Sequence, residues 1–324
     1  MKIKITIGYP NQNLLRQTPG SSGIWQDCEF FVNSEIGECD AWVVLQSSKG
    51  LLQAESTECP KENLILITRE PPDMMTWNYK YIQQFSTVIT CHQNIKHQHV
   101  ILEQHGQTWH LKELNFDQLS TMMPGVKPKL ASLICSSKSY TPGHRARLCF
   151  IEALKDHFGN TIDIFGRGVN PIDDKWDGIY PYKYHIVLEN GQFPYYWTEK
   201  LTDAFLGFTL PIYSGCPNLT DYFAPESFVP IDINDLSSSI STIENVINSD
   251  RYEQSFDSIF EARDLILNHY NLFPMLTKIC QNLSGKTKQN ITLYPEFTFN
   301  HSFFRQNYRV INTIRNHFSS YLNK

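Results

Sequence analysis

The 324-residue sequence predicts an α/β protein built from two domains with parallel sheets. Three observations carry that expectation. Short apolar runs alternate with helix-like or turn-rich stretches through both halves of the chain. A segment rich in Pro, Gly and Lys, Met123 to Lys129, separates the halves and is followed at once by a new strand. The composition, 41% hydrophobic and 19% charged, is globular and sufficient for two sizeable cores.

The elements follow in order. Apolar strand-like runs occur at Ile3 to Ile7, Ala41 to Leu45, Leu64 to Thr68 and Thr87 to Thr90. Beyond the linker come a strand at Leu130 to Cys135, a helix near Arg147 to His157 and a strand at Ile162 to Phe165. A strand at Tyr184 to Leu188, a helix after it and a strand at Leu210 to Tyr213 complete the rhythm. The expected domains are therefore 1–126, an N-terminal α/β unit, and 127–324, with a parallel sheet. Ligands bind such sheets at the carboxyl ends of the strands, where Ser136, Gly166, Asn190 and Ser214 would sit. The last stretch, Phe303 to Lys324, reads as a helix packed back on the N-terminal domain. Its charges, Arg305, Arg309, Arg315 and Lys324, are all basic, so weak contact with a membrane surface is the alternative.

Composition excludes several functions. A formal net charge of −5 gives no broad basic field, which argues against nucleic acid as a partner. The N-terminus has no apolar leader and no stretch has the ~18 apolar residues of a membrane span, so the expected location is cytoplasmic. Contact at the inner membrane surface remains with the C-terminal helix. Sequons at Asn218, Asn282, Asn290 and Asn300 weigh little without a secretory signal, although a Golgi enzyme trimmed of its anchor would carry them. The eight cysteines include no Cys-x-x-Cys and are read as mostly free, buried thiols. His97 and His99 alternate on a possible strand, but with His92, His105 and His110 they lack partners at metal-ligand spacing, so no zinc site is expected. No Asp-x-Asp pair occurs to bridge a metal to a diphosphate. The loop Thr18 to Trp25 lacks the glycine spacing of a phosphate loop; Trp25 is either a buried core residue or a platform for a sugar.

The most informative stretch is YKYHIVLENGQFPYYWTEKL, residues 182–201. Tyr184 to Leu188 is almost wholly apolar, as in a strand buried on both faces, and Glu189 and Asn190 stand at its end. Leu201, Ala204, Phe205 and Phe208 form one face of a helix that starts at the N-cap candidate Thr198. Lys200 then lies in the first turn, where a cation opposes the helix dipole. It is either a solvated surface lysine or the answer to a bound anion such as phosphate.

The pattern Tyr182-Lys183-Tyr184-x-x-x-x-Glu189-Asn190, followed by Tyr196-x-Thr198-Glu199-Lys200-Leu201, resembles the donor-site motif of glycosyltransferase family 10, the α-1,3/1,4-fucosyltransferases. The similarity runs on through Asp203-Ala204-Phe205, Pro211 to Gly215 and Pro225 to Val229, and back to Arg147 to Leu154. The resemblance implies a GT-B-like fold, two Rossmann-like domains facing across a cleft, with the nucleotide sugar held by the C-terminal one. It implies inverting transfer of L-fucose from GDP-fucose to a glycan acceptor, with no cofactor and no metal. By position, Asn190, Tyr196, Glu199 and Lys200 match the family's donor-site residues, and Arg147 its diphosphate-binding arginine. Arg69-Glu70-Pro71-Pro72 resembles the segment that carries the proposed general base, Glu70. Glu70 also follows an apolar strand and precedes prolines that bias it toward extended backbone. The alternatives are a related transferase using another nucleotide sugar in polysaccharide or lipopolysaccharide synthesis, and an inactive glycan-binding protein on the same fold.

Overall fold

The computed structural model describes residues 1–9, 13–136, 139, 141–166 and 170–299. The first half runs through β1 (Lys2–Ile7), β2 (Ile24–Trp25), β3 (Cys28–Val32), β4 (Ala41–Gln46), β5 (Glu55–Pro60), β6 (Leu64–Thr68), helix α1 (Tyr79–Ile82), β7 (Thr87–Thr90), β8 (Val100–Leu102) and α2 (Phe116–Thr121). The second half contains β9 (Lys129–Ile134), α3 (Pro142–Phe158), β10 (Ile162–Phe165), β11 (Tyr182–Leu188), α4 (Glu199–Leu206), β12 (Leu210–Ser214) and β13 (Val229–Pro230). It closes with α5 (Leu236–Ile247), α6 (Arg251–Gln254), α7 (Phe256–Leu265), α8 (Leu272–Gln281) and β14 (Lys288–Leu293).

The strands build two parallel sheets. One has seven strands in the order β2-β3-β1-β4-β6-β7-β8, parallel except for the β2–β3 hairpin. The other has five parallel strands in the order β10-β9-β11-β12-β13. The central strands of both are buried on two faces, which changes what a polar residue in a strand must do. In β1 the alternation of KIKITI looks half-solvated, yet every residue after Lys2 is buried. Lys4 is sustained there by an ion pair with Glu55 at 3.1 Å, and Thr6 donates to the same carboxylate at 3.1 Å. A buried lysine without such a partner would lose its charge.

Strand order locates the second sheet's ligand site. In chain order its strands run second, first, third, fourth, fifth, so the winding reverses between β9 and β11. The crevice at the carboxyl ends of those two strands is where doubly wound sheets hold ligands.

Packing crosses the 126/127 position in both directions. Trp109, Leu111 and Leu119 lie in the core that the second sheet builds with α3, α4 and α7, so that core begins before the linker. Conversely α8 packs Leu272, Phe273, Met275 and Leu276 against β1, β4 and β6, and β14 pairs antiparallel with β5. Residues 272–293 thus return to the first half; the helix expected at 303–324 lies outside the described residues. Trp25 is buried and sits edge-on to Phe116 with centroids 5.1 Å apart, which removes it as a sugar platform. His97 and His99 are not on a strand; a ring nitrogen of His97 instead bonds the His99 carbonyl at 2.9 Å. All eight cysteines are free, and all but Cys149 are buried.

Candidate active site

At the switch point, β9 ends near Ser136 and β11 ends at Glu189 and Asn190. Helix α3 reaches both because its start is well defined. Thr141 and His144 form a reciprocal capping box, and Pro142 takes the first turn, so the helix begins one turn earlier than its apolar pattern suggests. Gly143 lets that first turn press on β11: a Cβ there would fall 2.2 Å from the Asn190 carbonyl oxygen. Arg147, one turn further on, is 3% exposed. Its guanidinium donates to Asn190 Oδ1 at 2.9 Å and to Ser136 Oγ at 3.3 Å, tying the two strand ends together. Its Nε is buried with no hydrogen-bond partner among the described residues. Such a donor carries an unpaid desolvation cost of about 1–3 kcal/mol until an acceptor meets it.

Glu189, which the sequence offered only as a strand end, organises the other side. Its side chain is fully buried and accepts from the Thr198 backbone N–H at 2.8 Å, the Thr198 hydroxyl at 2.9 Å and Lys200 Nζ at 2.9 Å. Gly215 makes room, since a Cβ there would meet Glu189 Cγ at 2.6 Å. Lys200 is therefore neither a free surface lysine nor an isolated cation opposing the dipole. It also lies 3.7 Å from Glu199, which in turn is 3.9 Å from Lys175, and Lys175 pairs with Asp203 at 2.9 Å. Burial pushes the Glu199 carboxyl up, but Lys200, Lys175, His110 and Arg69 outweigh it and hold Glu199 well below the usual range. Burial likewise works against the Lys200 charge, and Glu189 and Glu199 more than restore it.

Arg147, Asn190, Glu199 and Lys200 line one cavity of about 260 Å³, with Lys175 and Asp203 at its side. Tyr196 lies behind this group, 2% exposed. Its phenol is raised well above its ordinary value by burial and by the charges of Glu189, Glu199 and Glu70, so it stays a hydrogen-bond donor.

The first half meets this cavity across the cleft. Asp203 accepts the His110 backbone N–H at 2.9 Å, and Gln107 donates to the Trp197 carbonyl at 3.1 Å. Glu70 lies two residues beyond β6, half-buried and at a bend in the chain rather than in the extended backbone its sequence context suggested. Its neighbour Arg69, part of the same motif but given no role by the sequence, donates to Thr108 Oγ1 at 2.9 Å. Burial works against the Arg69 charge, and Glu199, Glu70 and Tyr196 act in its favour, which puts Arg69 among groups from both halves. His105 faces the same cluster: burial, Arg69 and Lys200 hold it neutral, down to about 3. His105 and Lys175 were missed as members of this cluster because the groups they face, Arg69 and Lys200 for His105, Glu199 and Asp203 for Lys175, lie tens of residues away; Glu189 and Arg69 stood inside motifs, but no partner was assigned to either.

Among the described residues, no three His, Cys, Asp or Glu side chains cluster as a metal site would need, and no helix is long and apolar enough to cross a membrane.

Two α/β halves meeting across a charged cleft, with a cavity at the switch point of the second, define a GT-B-like glycosyltransferase architecture. The chain belongs to glycosyltransferase family 10: the family's "Glycosyltransferase family 10 (fucosyltransferase) C-term" profile matches residues 126–298. Alpha-(1,3)-fucosyltransferase 4 of Bos taurus is 31% identical over 156 residues, 44% of this chain and 38% of that protein. The chain's matches span well under half the length of its curated relatives. A solved α1,3-fucosyltransferase with GDP-fucose aligns with 84% of this chain and 92% of its own, at 17% identity and a TM-score of 0.47. An α-glucosyltransferase solved with UDP and DNA aligns with 87% of this chain and all of its own, at 10% identity and a TM-score of 0.50, a likeness of fold alone.

Proposed function

We propose that this protein transfers L-fucose from GDP-fucose to a hydroxyl of a glycan acceptor, with inversion and without a metal. The observation that carries this reading is the convergence of Arg147 and Lys200 on one cavity at the switch point, together with the family membership. The diphosphate gains charge as the bond from fucose C1 to its oxygen breaks. Cations held in place beforehand favour that moment over the ground state. Arg147 has an unmet Nε to offer, and Lys200 is fixed by Glu189 rather than by the ligand, so neither needs reorganising when the donor binds. Glu199, ionised by its surrounding cations, is suited to accept hydrogen bonds from ribose hydroxyls, and Tyr196 to donate one. Asn190 acts through Arg147, whose guanidinium it orients.

Glu70 is the proposed base. The acceptor oxygen attacks C1 from the face opposite the diphosphate, its proton passes to the Glu70 carboxylate, and the bonding electron pair leaves on GDP. Arg69, whose charge Glu70 favours, stands beside it in the chain. Replacing Glu70 by Gln tests the assignment: transfer should fall by about two to four orders of magnitude, while GDP binding by calorimetry stays unchanged. Full transfer by Glu70→Gln would assign the proton to another group. Donor identity is tested by comparing GDP with UDP in EDTA; tighter binding of UDP would favour another nucleotide sugar.

A further inference from the structure

One cation lining the cavity of the second half has no part of its own in the transfer described above. Lys175 comes from the loop between β10 and β11, in a single turn, Lys175–Gly178, capped by the Asp174 carboxylate. We propose that Lys175 is a positioning residue: it holds the Glu199 carboxylate for the ribose of the donor and makes that hold depend on contact with the first half. The inference rests on the ribose role given to Glu199 above and names what sets it.

Glu199 and Asp203 stand four residues apart on α4, so their carboxylates share one face of the helix, where like charges repel. The Lys175 ammonium offsets that repulsion, at 2.9 Å from Asp203 Oδ2 and 3.9 Å from Glu199 Oε1. Lys200 also lies near Glu199, at 3.7 Å, but is committed to Glu189 at 2.9 Å. Asp203 alone would satisfy a purely structural lysine. Lys175 nevertheless keeps 30% of its side chain exposed, lines the cavity and reaches a glutamate that is itself 31% exposed.

The placement of Lys175 is fixed from two directions. Ser132 Oγ, on β9, donates to the Gly178 carbonyl at 2.6 Å, and the turn packs so closely on that strand that a Cβ on Gly178 would meet Ile134 Cδ1 at 3.1 Å. The first half supplies the other constraint. The His110 N–H donates to Asp203 Oδ1 at 2.9 Å, which leaves Oδ2 for Lys175. The Lys112 N–H donates to Asp174 Oδ2 at 2.7 Å, which leaves Oδ1 to accept from the Trp176 N–H at 2.7 Å and so to cap the turn. Residues 110 and 112 thus set both carboxylates that place the lysine, and contacts run from the first half through Asp203 and Lys175 to Glu199.

The test compares GDP with 2′,3′-dideoxy-GDP by calorimetry on the full chain, because only GDP has ribose hydroxyls to offer Glu199. The parent protein should prefer GDP by about tenfold or more, as charge-assisted hydrogen bonds would give. In Lys175→Gln that preference should shrink to about threefold or less while the affinity for dideoxy-GDP is kept, and Lys175→Arg should restore it. Lys175→Gln leaves Asp203 buried without its cation. The double variant Lys175→Gln/Asp203→Asn removes that orphaned charge, keeps an oxygen for the His110 N–H and should show the same narrowing. The proposal is overturned if the preference for GDP is undiminished in both variants, or if both nucleotides lose affinity equally, which would put Lys175 on the diphosphate or in the fold alone. A parent protein that binds the two nucleotides equally would overturn the ribose role of Glu199, and this proposal with it.

Discussion

Replacing Glu189 by Gln removes one charge from a site where the fold depends on it. The glutamate side chain is fully buried and Lys200 is 23% exposed. Breaking a fully buried ion pair from one side costs about 3–5 kcal/mol, because the remaining charge is left uncompensated. Here the cost should be smaller. Lys200 keeps some solvent and Glu199 at 3.7 Å, and the glutamine oxygen still accepts from the Thr198 N–H. About 2–3 kcal/mol remains, chiefly from the new amide N–H₂ facing Lys200 Nζ. For a cooperative unit of the second half's size this lowers Tm by roughly 5–10 °C. The same change frees Lys200 from its fixed position, so GDP should bind about tenfold more weakly, equivalent to about 1.4 kcal/mol. Calorimetry on both proteins reads the two effects. Stability within ~0.5 kcal/mol of the parent protein together with unchanged GDP affinity would refute the view that Glu189 holds the lysine in place.

Other consequences are equally direct. Gly143→Ala puts a Cβ 2.2 Å from the Asn190 carbonyl oxygen, so α3 or the end of β11 must shift. A loss of about 1–3 kcal/mol by chemical denaturation and weaker GDP binding are expected, since Arg147 and Asn190 move with those elements. Stability should also fall as pH drops from about 7 to 4. Burial holds His185 down to about 3, and burial with Arg69 and Lys200 holds His105 down to about 3. Below the unfolded value near 6.5 the unfolded chain therefore binds protons the folded chain refuses. Denaturant midpoints across that window check the sign, and His185→Asn should flatten the slope.

Much of the fold was legible because strands buried on both faces are written as continuous apolar runs. β6 and β10 match the expected runs residue for residue, and β4, β9, β11 and β12 fall within two residues of theirs. The anion-site geometry was half legible. Thr198 as the N-cap and Lys200 in the first turn follow from local spacing, and the structure confirms both. The partner of Lys200 does not follow, because Glu189 reaches it only through the loop that folds residues 191–197 back on the strand end. The return of α8 and β14 to the first half was illegible for a similar reason. Leu272 to Cys280 is an apolar run with no local sign of which sheet it covers, and only contacts with β1, β4 and β6 decide it. His105 carries no motif, and Arg69 stands in one that assigns it no role; their chemistry arises from the closure of two halves on one cleft.

The central claim is that Arg147 and Lys200 form a diphosphate clamp that works without a metal. Titration of GDP into the protein in EDTA, beside Arg147→Ala, tests it most directly. Losing charge-assisted hydrogen bonds worth about 1.5–3 kcal/mol should weaken GDP binding roughly 10- to 150-fold in the variant, with binding by the parent protein undiminished by the chelator. Equal affinity in Arg147→Ala, or binding that disappears in EDTA, would contradict the account.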